Sequence, residues 1–140
     1  MSALSSVVLN KDFVKGIYDA FARGDAAAVL ACFDQEILWA YPDNVFYAEG
    51  SPFKGPNEVF NRVFLRLATE WEDFRIEPVE FIAEGDRVVV LARETGTFRE
   101  TGSMLDVETA HVWTIREGRV IEFFAYTDTL AYSRAAGLVQ

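Results

Sequence analysis

Glu84-Gly-Asp-Arg-Val-Val-Val-Leu-Ala-Arg-Glu-Thr-Gly96 and then Met104-Leu-Asp-Val-Glu-Thr-Ala-His-Val-Trp-Thr-Ile-Arg-Glu-Gly-Arg-Val-Ile-Glu-Phe-Phe-Ala-Tyr-Thr127 decide the fold. β-branched and aromatic residues fill both stretches, and the breaks fall at turn residues. Glu84-Gly85-Asp86 and Glu117-Gly118 read as hairpin turns. Between them lie strands over Arg87 to Gly96, Met104 to Ile115 and Arg119 to Thr127. Upstream, Phe74-Arg-Ile76 and Val79-Glu-Phe81 flank Pro78, so that strand is kinked or lies at an edge. Strands joined by hairpins pair antiparallel. Asp128 then caps a short last helix that stops at Gly137.

Ahead of the meander the period changes. Val14, Ile17, Tyr18 and Phe21 sit at i, i+3, i+4 and i+7, an apolar stripe on a helix. Asn10 is its expected cap, and Gly24 ends it because glycine enters the left-handed conformation cheaply. Asp25 caps a second short helix over Ala26 to Phe33. From Glu36, Ile37, Trp39 and Tyr41 alternate with Leu38 and Ala40 until Pro42, a strand expected to be covered on both faces. A loop with Val45, Phe46, Tyr47 and Phe53 follows, then a third helix over about Asn57 to Glu70. The order of elements predicts an α+β domain spanning 1–140, with helices gathered on one face of a mainly antiparallel sheet. Three helices leave a long curved sheet unevenly covered, which predicts a cone-shaped gap lined by aromatics.

Composition narrows the classes. The chain has 140 residues, is 51% hydrophobic and carries a formal net charge of −9. An apolar half supports a core. With 13 Lys+Arg against 22 Asp+Glu, there is no basic footprint for nucleic acid or an anionic membrane. The longest apolar run, Ala26 to Phe33, is far short of a bilayer span. No basic start precedes the first apolar residues, so a cytoplasmic protein is expected. One Cys and one His cannot make the usual four-ligand zinc site, so no metal is expected. Gly50-Ser-Pro-Phe-Lys-Gly55 lacks the Lys-Ser/Thr of a phosphate loop, and no cofactor is expected.

Tyr18-Asp-Ala-Phe-Ala-Arg-Gly-Asp25, Phe33-Asp34, Ile37-Leu-Trp39, Gly55, His111-Val-Trp113, Glu117-Gly-Arg-Val-Ile121 and Tyr126-Thr-Asp-Thr129 follow one pattern. From about Val8 to Leu138 the chain resembles the SnoaL-like proteins of the nuclear transport factor 2-like superfamily, relatives of ketosteroid isomerase. The resemblance implies a conical barrel with three helices on the concave side, a pocket inside the cone, and homodimers packed through the outer sheet face. It does not by itself assign a reaction. Carried over position by position, the base of ketosteroid isomerase falls on Tyr41, its phenol on Ile17 beside Tyr18, and its protonated acid on His111. The arginine of limonene epoxide hydrolase falls on Arg93, but its aspartates fall on Thr95 and Ala125. The histidine of SnoaL-type cyclases falls on His111, and its aspartate again on Ala125. Asp128 belongs to a widespread motif at the pocket mouth.

His111 is the only histidine, a residue type suited to moving protons, and is the leading acid–base candidate. The alternative is a half-buried histidine bonded to a hydroxyl or backbone group. Arg93 clamps an anion if it faces inward; otherwise it is exposed, or paired with Glu94 or Glu108. Tyr41, Tyr18 and Trp39 line a pocket or pack a core, with Phe64, Thr95, Trp113 and Ala125 completing the expected lining. Asp128 is a helix cap or an orienter of His111. Asp43 and Glu49 overhang the mouth or are solvated, and Cys32 reads as an inert buried thiol. The seven acids between Glu70 and Asp86 read as a solvated face. Two functions follow: a cofactor-free isomerase, cyclase or dehydratase acting on a small apolar carbonyl compound, or a binding module without chemistry. A cavity of a few hundred Å³ exposing His111 favours a ligand; a closed core rules out the first.

Overall fold

The computed structural model describes residues 3–139. Helix α1 spans Ala3–Ala22 and α2 spans Ala26–Ala31. Strand β1 is Phe33–Ala40, and the two-residue β2 is Phe53–Lys54. The third helix is segmented into α3 (Pro56–Val59), a π turn (Phe60–Phe64) and α4 (Leu65–Glu70). Strands β3 (Trp71–Glu84), β4 (Arg87–Phe98), β5 (Met104–Arg116) and β6 (Arg119–Tyr126) form the meander, and α5 (Thr129–Ala135) follows.

The helix α1 begins well before Asn10, which is an interior residue of it. Nothing between Ala3 and Asn10 breaks a helix, and an interior Asn costs only about 0.7 kcal/mol against Ala. Val14, Ile17 and Tyr18 are buried as the stripe predicted. Asp25 caps α2 by accepting from the Ala28 N–H at 3.0 Å. That helix stops two residues early, because Phe33 leaves it to pair with Val120 of β6.

The sheet is mixed and six-stranded, in the order β2-β1-β6-β5-β4-β3. Only the β1–β6 pairing is parallel; the rest are antiparallel. β2 and β3 lie at opposite edges and do not pair, so the sheet is curved and open rather than closed into a barrel. Pro78 lies on the edge strand β3, at a register shift, where no ladder bond is lost. Glu117 and Gly118 both take positive φ, as a tight turn between twisted strands requires.

Alternation sorts each strand into two faces. Ile37 and Trp39 of β1 point inward, whereas Leu38 is 39% exposed. β1 is therefore covered on one face by this chain, not on both. The inner face joins α1, α2 and the segmented helix in one core that holds Ile17, Tyr18, Trp39, Phe64, Trp113 and Phe123. A second cluster, around Tyr47, Trp71, Phe98 and Tyr132, ties the loop after β1 and helix α5 to the far end of the sheet. No helix among the described residues is long and apolar enough to cross a membrane.

Candidate functional site

The inner face of β4 reads Val88, Val90, Ala92, Glu94. The carboxylate of Glu94 is thereby carried into the core and is 7% exposed. On β5 the inner face reads Thr109, His111, Trp113, and Val90 pairs with His111. His111 is 3% exposed, and its Nε2 lies 3.6 Å from Glu94 Oε2. That gap is wider than a hydrogen bond.

The other side of the imidazole is held by α1. Tyr18 Oη lies 2.5 Å from His111 Nδ1, and the Trp113 indole N–H donates to the same hydroxyl at 2.9 Å. A hydroxyl has one proton. With Trp113 donating to it, Tyr18 donates to Nδ1, which leaves the proton of neutral His111 on Nε2, facing Glu94. Glu94 Oε1 in turn accepts from the Tyr132 hydroxyl at 3.0 Å. The result is a polar line through a mostly apolar interior, in two hydrogen-bonded halves, Trp113–Tyr18–His111 and Tyr132–Glu94, that face each other across the 3.6 Å gap. Tyr41 stands beside it, accepting from the Trp39 indole at 3.0 Å.

Burial raises the Tyr18, Tyr41 and Tyr132 hydroxyls above the ordinary tyrosine range, and the nearby Glu94 charge adds to this. All three phenols are therefore hydrogen-bond donors at neutral pH, not anions.

Tyr18, Tyr41, His111 and Glu94 face a cavity of about 50 Å³ between helices and sheet. It is far smaller than a few hundred Å³, yet it is not closed. By the ~10–15 Å³ a single water needs, it holds several waters or a small organic fragment. Of the expected lining, Tyr18, Trp39, Tyr41, Phe64, His111, Trp113 and Ala125 form its walls, joined by Glu94.

The structure does not bring Arg93, Thr95 and Asp128 to this cavity. Arg93 and Thr95 share the outer face of β4, one residue out of phase with Glu94. Arg93 is exposed and forms a two-point pair with Asp106, at 2.5 and 2.9 Å. Asp128 is exposed and caps α5 through the Ala131 N–H at 3.0 Å. Asp43 and Glu49 are exposed in the loop, away from the cavity walls. Cys32 is half-buried, and burial raises its thiol above the ordinary range.

Glu94 is the cavity-lining carboxylate that sequence reasoning missed. Its signal was present: Val88, Val90 and Ala92 set a period of two that ends on Glu94. The outer series Val89, Leu91 is equally apolar, so the strand alone does not say which face is buried.

The curved, open six-stranded sheet with helices on its inner face is an α+β cone. The SnoaL-like domain profile matches residues 14–123, and the chain belongs to this SnoaL-like family of the nuclear transport factor 2-like superfamily. An NTF2-like protein of Burkholderia thailandensis is 30% identical, with 91% of this chain and 96% of that one covered and a TM-score of 0.86. An NTF2-like protein of Burkholderia pseudomallei is 31% identical, with coverage of 96% and 98% and a TM-score of 0.82. TerC, co-crystallised with polyporic acid, is 25% identical, with coverage of 91% and 98% and a TM-score of 0.80. No curated protein matches the sequence.

Proposed function

We propose that the chain is a cofactor-free acid–base enzyme acting on a small, mostly apolar carbonyl compound. The observation that carries this reading is the buried pairing of the Glu94 carboxylate with the Nε2 face of His111 on the wall of an apolar cavity. Glu94 is the general base, removing a proton from the carbon beside the carbonyl. The 3.6 Å gap leaves the His111 Nε2–H free to donate to the substrate oxygen, on which negative charge develops. Tyr18 holds the imidazole in that tautomer and is a positioning residue. Tyr41 accepts from Trp39, and its own proton supplies a second donor on the cavity wall. Isomerisation, aldol cyclisation and dehydration all begin with this step. That TerC was co-crystallised with polyporic acid supports a small-molecule role for this branch of the fold.

The test is exchange of the protons beside the carbonyl of small cyclic ketones and enones in heavy water, followed by NMR. The parent should accelerate exchange, and Glu94→Gln should lower the rate by about 10²–10⁴-fold. Exchange by Glu94→Gln equal to the parent would remove Glu94 from the mechanism. Binding without any exchange would favour the second reading, a ligand-binding module. The narrowness of the cavity supports that alternative.

The same reading includes a homodimer through the outer sheet face. Val89, Val112 and Phe124 lie side by side there, as do Leu91, Ala110 and Tyr126. Leu91 is 37% and Tyr126 58% exposed. This apolar band crosses three strands without a covering element from the chain itself, and a second copy supplies the complementary apolar surface. A cytoplasmic location completes the proposal.

A further inference from the structure

A groove of about 300 Å³ lies outside the cavity, between the α1–α2 junction, α4 and the start of β3. Phe21, Phe64 and Leu67 belong to the walls of both spaces. The rings of Phe21 and Phe64 meet edge to face, with centroids 6.0 Å apart. A partition only one side chain thick therefore separates the groove from the cavity that holds Glu94 and His111.

The groove is a built feature of the sheet edge. The register of β3 against β4 shifts between Glu72 and Arg75, and Asp73 takes φ +57° there. This bulge turns Phe74 towards the groove, where it stands with Trp71. It also presses the Phe74 backbone onto Gly96 of β4, where a Cβ would lie 3.2 Å from Phe74 Cα. Glycine at 96 thus lets β4 pass close beneath the bulge that shapes the groove.

Charge distinguishes the rim. Arg99 is exposed there, and among the described residues it forms no salt bridge. Two of the nearby carboxylates are already engaged. Asp73 is paired with Arg75 at 3.0 Å, and Glu70 accepts from Arg66 at 3.1 Å and from Tyr47 at 2.8 Å. On a chain of net charge −9, an uncommitted guanidinium beside an aromatic trough is a local site for an anion.

We propose that this groove binds the non-reacting end of the ligand, and that the ligand is an amphipathic monoanion, a carboxylate carried on an aromatic or aliphatic body. The carboxylate is taken by Arg99. The body lies on the half-buried Phe74 and Phe21, and its reacting end displaces the side chains of the Phe21–Phe64–Leu67 partition to reach Glu94. This rests on the small-molecule reading above and adds the substrate class and the side from which it enters. It also reconciles the narrow cavity with a larger ligand, since only the reacting fragment needs to fit inside.

The test uses two fluorescent probes with the same ring system: the anionic 8-anilinonaphthalene-1-sulfonate and the neutral N-phenyl-1-naphthylamine. Arg99→Gln changes one exposed side chain and leaves the core intact. It should weaken the anionic probe by about threefold to tenfold, the range of an exposed charge-assisted bond, and leave the neutral probe unchanged. Arg99→Lys should restore most of the difference, added salt should weaken only the anionic probe, and Arg93→Gln on the outer face should change neither. Equal binding of the anion by parent and Arg99→Gln, or failure of both probes to bind, would overturn the proposal. A loss of anion affinity in His111→Gln as large as that in Arg99→Gln would place the probe in the inner cavity and overturn it as well. Arg99-dependent binding without proton exchange on any ketone would uphold the groove while removing the acid–base reading.

Discussion

Raising the pH above about 10 should unfold this protein steeply, with a slope that counts its buried phenols. The hydroxyls of Tyr18, Tyr41, Tyr47 and Tyr132 are all raised above the ordinary tyrosine range, in each case chiefly by burial. The Glu94 charge adds to the effect at Tyr18, Tyr41 and Tyr132, and at Tyr47 the bond to Glu70 adds to it. In the unfolded chain each phenol ionises near pH ~10. Above that pH the unfolded state holds fewer protons than the folded state, so stability falls as pH rises. Below it both states are protonated and these groups contribute no slope. At pH about 11 the loss is of the order of 1 kcal/mol per tyrosine, or roughly 5 kcal/mol for the four together. A loss of that size is comparable with the whole stability of a typical domain, ~5–15 kcal/mol. Urea titrations followed by tryptophan fluorescence, from pH about 8.5 to about 11, measure it. Tyr132→Phe or Tyr47→Phe should each remove about a quarter of the slope. Stability that stays flat across that range, or phenolate absorbance of these four tyrosines appearing near pH ~10 in the folded protein, would refute the reasoning.

Tyr18→Phe removes the acceptor of the Trp113 indole and the partner of His111 Nδ1. It should cost about 2–4 kcal/mol in urea unfolding, and less by about 1 kcal/mol in a Trp113→Phe background, where the orphaned donor is gone. Gly96→Val drives a side chain into Phe74 and Trp71. It should destabilise by about 1–3 kcal/mol and abolish probe binding in the adjoining groove. Asp128→Ala should cost about 1 kcal/mol by uncapping α5, and should loosen the Tyr132–Glu94 bond, seen as faster amide exchange across α5. The proposed dimer predicts that the parent sediments as two copies and that Leu91→Glu on the outer sheet face sediments as one, whereas a monomeric parent, or a variant with the parent's mass, would remove that face from the assembly.

Several parts of the site were legible in the sequence because they rest on local rules. The stripe Val14–Phe21 places Tyr18 on the buried face of a helix, and the alternation Thr109, His111, Trp113 places the histidine on one face of a strand. Their meeting was not legible. Tyr18 and His111 are 93 residues apart, and the 2.5 Å contact depends on how α1 crosses the sheet. Glu94 was missed for a related reason. Both faces of β4 are apolar through Leu91, so its phase is fixed by pairing with β5 and not by its own pattern. The choice between Arg93 and Glu94 as the inward residue is a choice of one position, and it replaces a guanidinium at the cavity wall with a carboxylate.

The sequence by itself determined the order of the elements other than β2, the hairpin turns, the caps at Asp25 and Asp128, and the resemblance to a cone-forming family. These depend on residues close together in the chain, where propensity, periodicity and capping act directly. Only the tertiary structure decided that Glu94 is the buried acid, that Arg93 is spent on Asp106, and that the interior space is about 50 Å³ with a larger groove outside it. Those outcomes depend on strand register, on the bulge at Asp73 and on the sheet's remaining open. Each is settled by many weak contacts between distant segments, and no local stretch of sequence carries that sum.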